Sequence, residues 1–132
     1  MTVNIELSAD EKDVKQTILN VIEHGSSYNV EKLAPLYSDS IQIIRVTQDG
    51  QTSVLTKKDV MQFFESRRCA NYEPLSKDAQ FNHIEAKNGI AHVILTRTMK
   101  MFGNPEKSVY SICLAKKNTD WKVVKETVVA LA

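Results

Sequence analysis

The chain is poor in the residues that mark specialised architectures. Two cysteines, three prolines, four glycines and one tryptophan occur in 132 residues. Cys69 and Cys113 fall in different expected elements without metal-ligand spacing, so two reduced thiols are expected rather than a disulfide or a zinc site. Thiol catalysis would need a histidine nearby, and nothing in the placing of His24, His83 or His92 announces one; each reads as a surface or strand residue with a satisfied ring. No apolar run approaches the ~18 residues of a membrane helix. The opening stretch "MTVNIELSADEKD" also lacks the basic and apolar segments of a secretory leader. Charge of one sign is missing too. Seventeen Lys and Arg against sixteen Asp and Glu give +1, with none of the broad field that nucleic-acid binders and membrane-surface proteins carry. The pairs Lys57-Lys58, Arg67-Arg68 and Lys116-Lys117 read as solvated helix ends and strand tips. A cytoplasmic protein is expected, with no nucleic-acid or membrane partner, no metal and no cofactor.

What is present is a strong pattern of amphipathic segments, with no internal repeat and room for one domain over residues 1–132. In "LSADEKDVKQTILNVIEHG", Ser8 and Glu11 have capping-box spacing, and Val14, Ile18, Val21 and Ile22 share one helical face. Asn29 can cap a second, short helix with Leu33, Leu36 and Tyr37 as its apolar stripe, kinked or shortened by Pro35. "SDSIQIIRV" follows as a strand, and the Asp-Gly of "TQDGQ" marks a hairpin. Thr56 then caps a third helix, "KKDVMQFFESRR", with Val60, Met61, Phe63 and Phe64 available to a core. From Phe81 onward the chain is rich in Val, Ile, Thr and aromatics, broken by Asn-Gly, Gly-Asn-Pro and Asn-Thr-Asp turns, as a long antiparallel meander requires.

In these strands apolar residues occur at both parities. Ala91, Val93, Leu95 and Met99 lie on one face and Ile90 and Ile94 on the other; Tyr110, Ile112 and Leu114 oppose Val109 and Cys113. Both sheet faces therefore need a cover. The helices can supply one, and a homodimer through the back face of the sheet is the economical way to supply the other.

"YNVEKLAPLYSDSI", "LTKKDVMQFFES", "NGIAHVIL" and the terminal "DWKVVKE" resemble corresponding segments of the nuclear transport factor 2-like superfamily, from Ser8 to Leu131. Within it the chain is most similar to the small bacterial proteins grouped as lumazine-binding or polyketide cyclase-like. The resemblance implies a cystatin-like α+β fold, a cone in which three N-terminal helices pack on a strongly curved, mostly antiparallel sheet around a pocket. It does not select a function, since the superfamily ranges from isomerases to dehydratases to adaptors. Ketosteroid isomerase chemistry needs an Asp base and an oxyanion hole of a Tyr and a protonated Asp, a case well described in general terms. By the resemblance those positions fall on Arg45, Val21 and Ile112, so the set is absent, although Tyr37 matches a supporting tyrosine and Phe64 replaces another. Limonene epoxide hydrolase sets an inward arginine between carboxylates. Here Met99 stands two residues beyond Arg97, and that set fails as well. Scytalone dehydratase-like chemistry would want a His–Asp pair, and nothing places His83 with Asp39.

The same correspondence puts Arg45 where the family aims a functional side chain into the cone. Inward parity adds Arg97, Met99 and Met101 in one strand and Tyr110 and Ile112 in the next. A desolvated guanidinium needs a partner, either an internal carboxylate such as Asp39, Glu65 or Glu126 or an anionic ligand that fits its planar fork. The expected ligand is a small, largely apolar acid, its charged end at Arg45 and Arg97 and its body against Tyr37, Phe64, Met99, Met101, Tyr110 and Ile112. No catalytic residue is assigned. Glu126, the only acid in "WKVVKETVVAL", is left open between a pocket base, an interface residue and a solvent-facing or arginine-paired structural role; Trp121 reads as core. Three functions stay in view: a small-molecule-binding module, an enzyme of the cyclase, isomerase or hydratase kind with an unidentified base, and a dimeric scaffold.

Overall fold

Ser8 and Glu11 close a reciprocal capping box: the Ser8 hydroxyl accepts from the Glu11 N–H at 3.1 Å, and the Glu11 carboxylate accepts from the Ser8 N–H at 2.8 Å. Two of the donors that a helix start leaves free are thereby satisfied. The helix they open, α1 (Ala9–Ser26), buries Val14, Ile18 and Ile22 on one face. The computed structural model describes residues 6–131; residues 1–5, the beginning of the stretch examined for a leader, lie outside it. Asn29 caps α2 (Val30–Leu33), its side chain accepting from Lys32 N–H at 3.3 Å. Pro35 has no N–H to continue the ladder, and the chain tightens into a 3-10 turn (Ala34–Leu36) and leaves the helix. Tyr37 was expected on the stripe of this second helix. It instead opens strand β1 (Tyr37–Val46) and is buried there.

The Asp-Gly turn, with Gly50 at φ +84°, joins β1 to β2 (Thr52–Thr56). Thr56 and Asp59 form a second capping box that starts α3 (Lys57–Cys69), which buries Val60 and Phe64. After the irregular segment 70–79 come β3 (Gln80–Lys87), β4 (Ile90–Phe102), β5 (Asn104–Lys117) and β6 (Asp120–Ala130). Asn88 and Gly89 both have positive φ, the signature of the primed turns that match strand twist.

The described strands form one six-stranded sheet in the order β2-β1-β6-β5-β4-β3, antiparallel throughout except for the parallel pair β1–β6. The chain is thus an α+β fold with α1, α2 and α3 on one face of a mostly antiparallel sheet. Val14, Ile18, Leu33, Val93, Leu95, Leu114 and Val123 meet between the layers with almost no exposure. Register breaks interrupt four of the five strand pairings, and bulges of this kind sharpen twist and bend the sheet.

One break reorders a face. Cys113 pairs with Lys125 but Leu114 pairs with Val123, so β6 carries an extra residue between them. Trp121 and Val123 are buried, and beyond the bulge Glu126, Val128 and Ala130 are buried in turn.

The other sheet face leaves Ile90 67 % and Val129 39 % exposed, with Ile94, Val109 and Cys113 half-buried. His92 lies on it, 2.8 Å from the Ser111 hydroxyl. Cys69 and Cys113 are free thiols. Among the described residues no helix is long and apolar enough to cross a membrane, and no cluster of His, Cys, Asp and Glu is arranged to hold a metal.

Candidate functional site

Inward-facing residues of β1, β4, β5 and β6 line the cone, and α1 and α3 close it. Two cavities lined by described residues lie within it. A deep one of about 70 Å³ is lined by Tyr37, Phe64, Arg97, Met99, Met101, Tyr110, Ile112 and Glu126, with Val21 and Leu95. A mouth of about 350 Å³ is lined by Arg45, Ile43, Leu55, Phe63, Val60 and Val128, and the two share Tyr37, Phe64, Met101, Tyr110 and Glu126. Seven of the eight residues expected from the sequence therefore line the deep cavity, and the eighth, Arg45, lines the mouth.

The two arginines enter from different strands, Arg97 into the deep cavity and Arg45 into the mouth, and the charges of both act on Tyr110 between them. β1 and β4 are separated by β6 and β5, three strand spacings or about 14 Å along the sheet. Each is also held by its own partner. Arg45 Nη2 lies 2.7 Å from Glu106 Oε1, and this acid is none of the three considered from sequence. Arg97 Nη2 donates to the Ser76 carbonyl at 2.7 Å and to the Ser26 hydroxyl at 3.3 Å. Its Nε is buried and finds no acceptor among the described residues.

Glu126 is the functional candidate that sequence left undecided. It is 8 % exposed, and it forms neither a hydrogen bond nor a salt bridge with any described residue. Burial in this apolar setting pushes its carboxyl up from 4.5 to about 7, although the Arg97 charge pulls the other way. Near neutral pH it is divided between acid and carboxylate. Tyr110 is pushed up to about 12, first by burial and then by the Glu126 charge, and burial holds Tyr37 well above the usual phenol range. The hydroxyls of both tyrosines likewise hydrogen-bond to no described residue. Burial lowers the Arg97 guanidinium somewhat, against the charges of Tyr110, Glu126 and Tyr37.

The deep end is thus a cluster of four polar groups, the Glu126 carboxyl, two phenols and one guanidinium edge, opening onto a vestibule walled by aromatic and aliphatic side chains. Phe63 and Phe64 pack there at 5.5 Å between ring centroids. Such a cluster can exchange a proton with, or hydrogen-bond, the polar end of a small apolar molecule. Val21 and Ile112, the positions that the isomerase resemblance would fill with polar groups, line the deep cavity as hydrocarbons. Phe63, Ser26 and Leu75 also belong to the site. Sequence reasoning had placed Phe63 only in the core, and the other two carry no local signal, since only the packing of the 70–79 segment on α1 brings them together.

No protein-family model and no curated protein matches the chain. Solved structures do. A nuclear transport factor 2-like protein of unknown function from Shewanella baltica superposes with a TM-score of 0.74 at 14 % identity, covering 98 % of this chain and 99 % of that one. A ketosteroid isomerase-like protein from Erwinia carotovora atroseptica gives 0.64 at 12 % identity, over 96 % and 99 %. A domain of unknown function with a cystatin-like fold from Nostoc punctiforme gives 0.70 at 12 % identity, over 96 % and 80 %. The chain therefore has the nuclear transport factor 2-like, cystatin-like fold, with an acid–phenol–guanidinium cluster at the base of its cone.

Proposed function

We propose that the protein binds a small, largely apolar acid in the cone. The body of the ligand lies in the mouth against Phe64, Met101 and Ile43, bordered by Arg45, and its carboxylate meets Arg97 at the deep end beside Tyr37, Tyr110, Met99 and Ile112. One observation carries this reading: beside one small cavity the buried Arg97 Nε has no acceptor among the described residues, and the neighbouring Glu126 carboxyl and two phenols hydrogen-bond to none of them, so the cluster is left with bonds for a ligand to make. The mouth volume sits at the lower end of the range for small-molecule pockets, about 300–1,000 Å³, which favours a compact ligand.

A second reading is favoured by Glu126. A carboxyl that titrates near neutral pH can act as general base and acid, so the ligand would be turned over by proton transfer, as in isomerases, dehydratases and cyclases. In this reading the protein pairs as a homodimer through the outer sheet face, as the exposure of Ile90 and Val129 there supports. Its compartment is the cytoplasm, where free thiols such as Cys69 and Cys113 persist.

Native mass spectrometry of freshly purified protein, compared with the denatured mass, tests cargo and stoichiometry together. A dimer carrying mass that denaturation removes, with the formula of an organic acid, is the expected result. A neutral or cationic cargo refutes the acid reading, and a monomer refutes the sheet-face dimer. Turnover of the identified ligand that Glu126→Gln abolishes, while leaving binding intact, separates enzyme from carrier.

A further inference from the structure

Segment 70–79 has no regular secondary structure, yet it is tied firmly across the back of the cone. The Leu75 N–H donates to the Ser26 carbonyl at 3.0 Å, the Ser26 hydroxyl to the Ser76 carbonyl at 3.4 Å, and the Tyr28 hydroxyl to the Glu73 carbonyl at 2.6 Å. Leu75 is the buried member of the central run 71–78, whose other residues are exposed. Its side chain lines the deep cavity on one side and, on the other, an open outer groove of about 730 Å³ bordered by Arg67, Tyr72 and Lys100. Met99 and Met101 of β4 also line both, so Leu75 is the part of the wall between the cone and this rear opening that the strap supplies.

The ties at Ser76 converge on Arg97, whose Nη2 donates to both Ser76 O and Ser26 Oγ while the adjacent Nε is buried and unused. The edge of a guanidinium that a carboxylate grips side-on is made of Nε and Nη2 together. Nη2 has two hydrogens and already two acceptors, Ser76 O and Ser26 Oγ, so a carboxylate seated on that edge competes with them for it. We infer that Arg97 is the latch of a rear door: a ligand carboxylate captured side-on at Nε and Nη2 releases Ser76, and with it the Leu75 wall, so that binding loosens the 70–79 strap. This rests on the acid-binding reading above and adds to it the planar two-oxygen head as the ligand class and a coupled exit on the far side of the cone.

Hydrogen exchange of the full chain, read on the Leu75 amide and the strap, tests the latch in two stages. In the free protein, Arg97→Gln is expected to speed strap exchange about tenfold while β5 and β6 stay protected. Arg97→Lys keeps a charge and one bond to Ser76, so it holds the strap and guards against a fold defect in the first variant. Sodium octanoate, with binding followed by ligand-detected NMR, is expected to speed strap exchange to a similar extent in the wild type but not in Arg97→Lys. 1-Octanol, lacking the carboxylate, is expected to leave the strap closed. If octanoate binds and the strap does not respond, the latch is overturned and the pocket reading stands. Unchanged strap exchange in folded Arg97→Gln also overturns it. If octanoate does not bind, the acid-binding reading fails and ligand-driven release falls with it.

Discussion

Replacing Glu126 with glutamine should stabilise the protein, and only at a pH where the carboxyl would be forced to ionise. The two side chains are nearly isosteric, so the difference isolates the charge. In the unfolded chain Glu126 titrates at its ordinary 4.5; in the folded protein burial moves it to about 7. Below pH 4.5 both states hold the proton and Glu126 carries no penalty. Between 4.5 and 7 the unfolded state ionises while the folded state does not, so stability falls as pH rises; above 7 the loss is complete and constant. A shift of that size corresponds to about 3 kcal/mol, at about 1.4 kcal/mol per pH unit. Urea unfolding of wild type and Glu126→Gln at pH 4 and pH 8 reads the effect directly, because every other titrating group is common to both proteins and cancels. The variant should match wild type at pH 4 and exceed it by about 3 kcal/mol at pH 8. A difference that does not change with pH, or a variant weaker at pH 8, refutes the claim that this carboxyl lies unpaired in the cone. A gain obtained by removing an ionisable group would be typical of a residue kept for function at the expense of stability.

The same group should govern affinity. A carboxylate ligand is repelled by ionised Glu126, so octanoate binding measured by titration calorimetry should weaken above pH 7, toward about tenfold per pH unit, and a pH-independent affinity would place the ligand elsewhere. Arg45→Leu breaks a pair whose side chains are 19 % and 31 % exposed, so it should cost only about 1 kcal/mol in urea unfolding and leave acid cargo bound; loss of cargo on native mass spectrometry would make Arg45 the grip. Leu114→Ala, at a fully buried position, should cost about 3 kcal/mol by the same measurement, and a loss under 1 kcal/mol would contradict the packing between sheet and helices.

Most of the architecture was legible because periodicity and punctuation agree. The Ser8–Glu11 capping box, the Thr56 cap, the Asp-Gly and Asn-Gly turns and the inward parity of β4 and β5 follow from local chemistry that tertiary structure does not override. The site was legible to the extent that it lies on regular strands: Arg97, Met99, Tyr110 and Ile112 sit where alternation puts them. Glu126 does not. Counted from Trp121 and Val123, strict alternation turns it outward, and only the extra residue in β6 turns it into the cone. Bulges have weak sequence signatures, since what forces them is the curvature of the whole sheet. The Arg45–Glu106 pair and the Arg97–Ser76–Ser26 cluster were beyond reach for another reason. Each joins segments distant along the chain, and a charged side chain carries no local mark of which partner it will meet.

The parallel pairing of β1 with β6 has a consequence for how the protein is made. β1 belongs to the first half of the described chain, yet one of its two neighbours is β6, and every closed arrangement of the sheet waits for that encounter. Non-local pairing of this kind raises contact order and slows folding. During synthesis the β1–β2 hairpin and α3 emerge with Ile41 and Ile43 facing a core that does not yet exist, and one long strand edge is open to any other chain. Protection from aggregation at that stage falls to the charges around the hairpin, and to the speed with which the meander arrives.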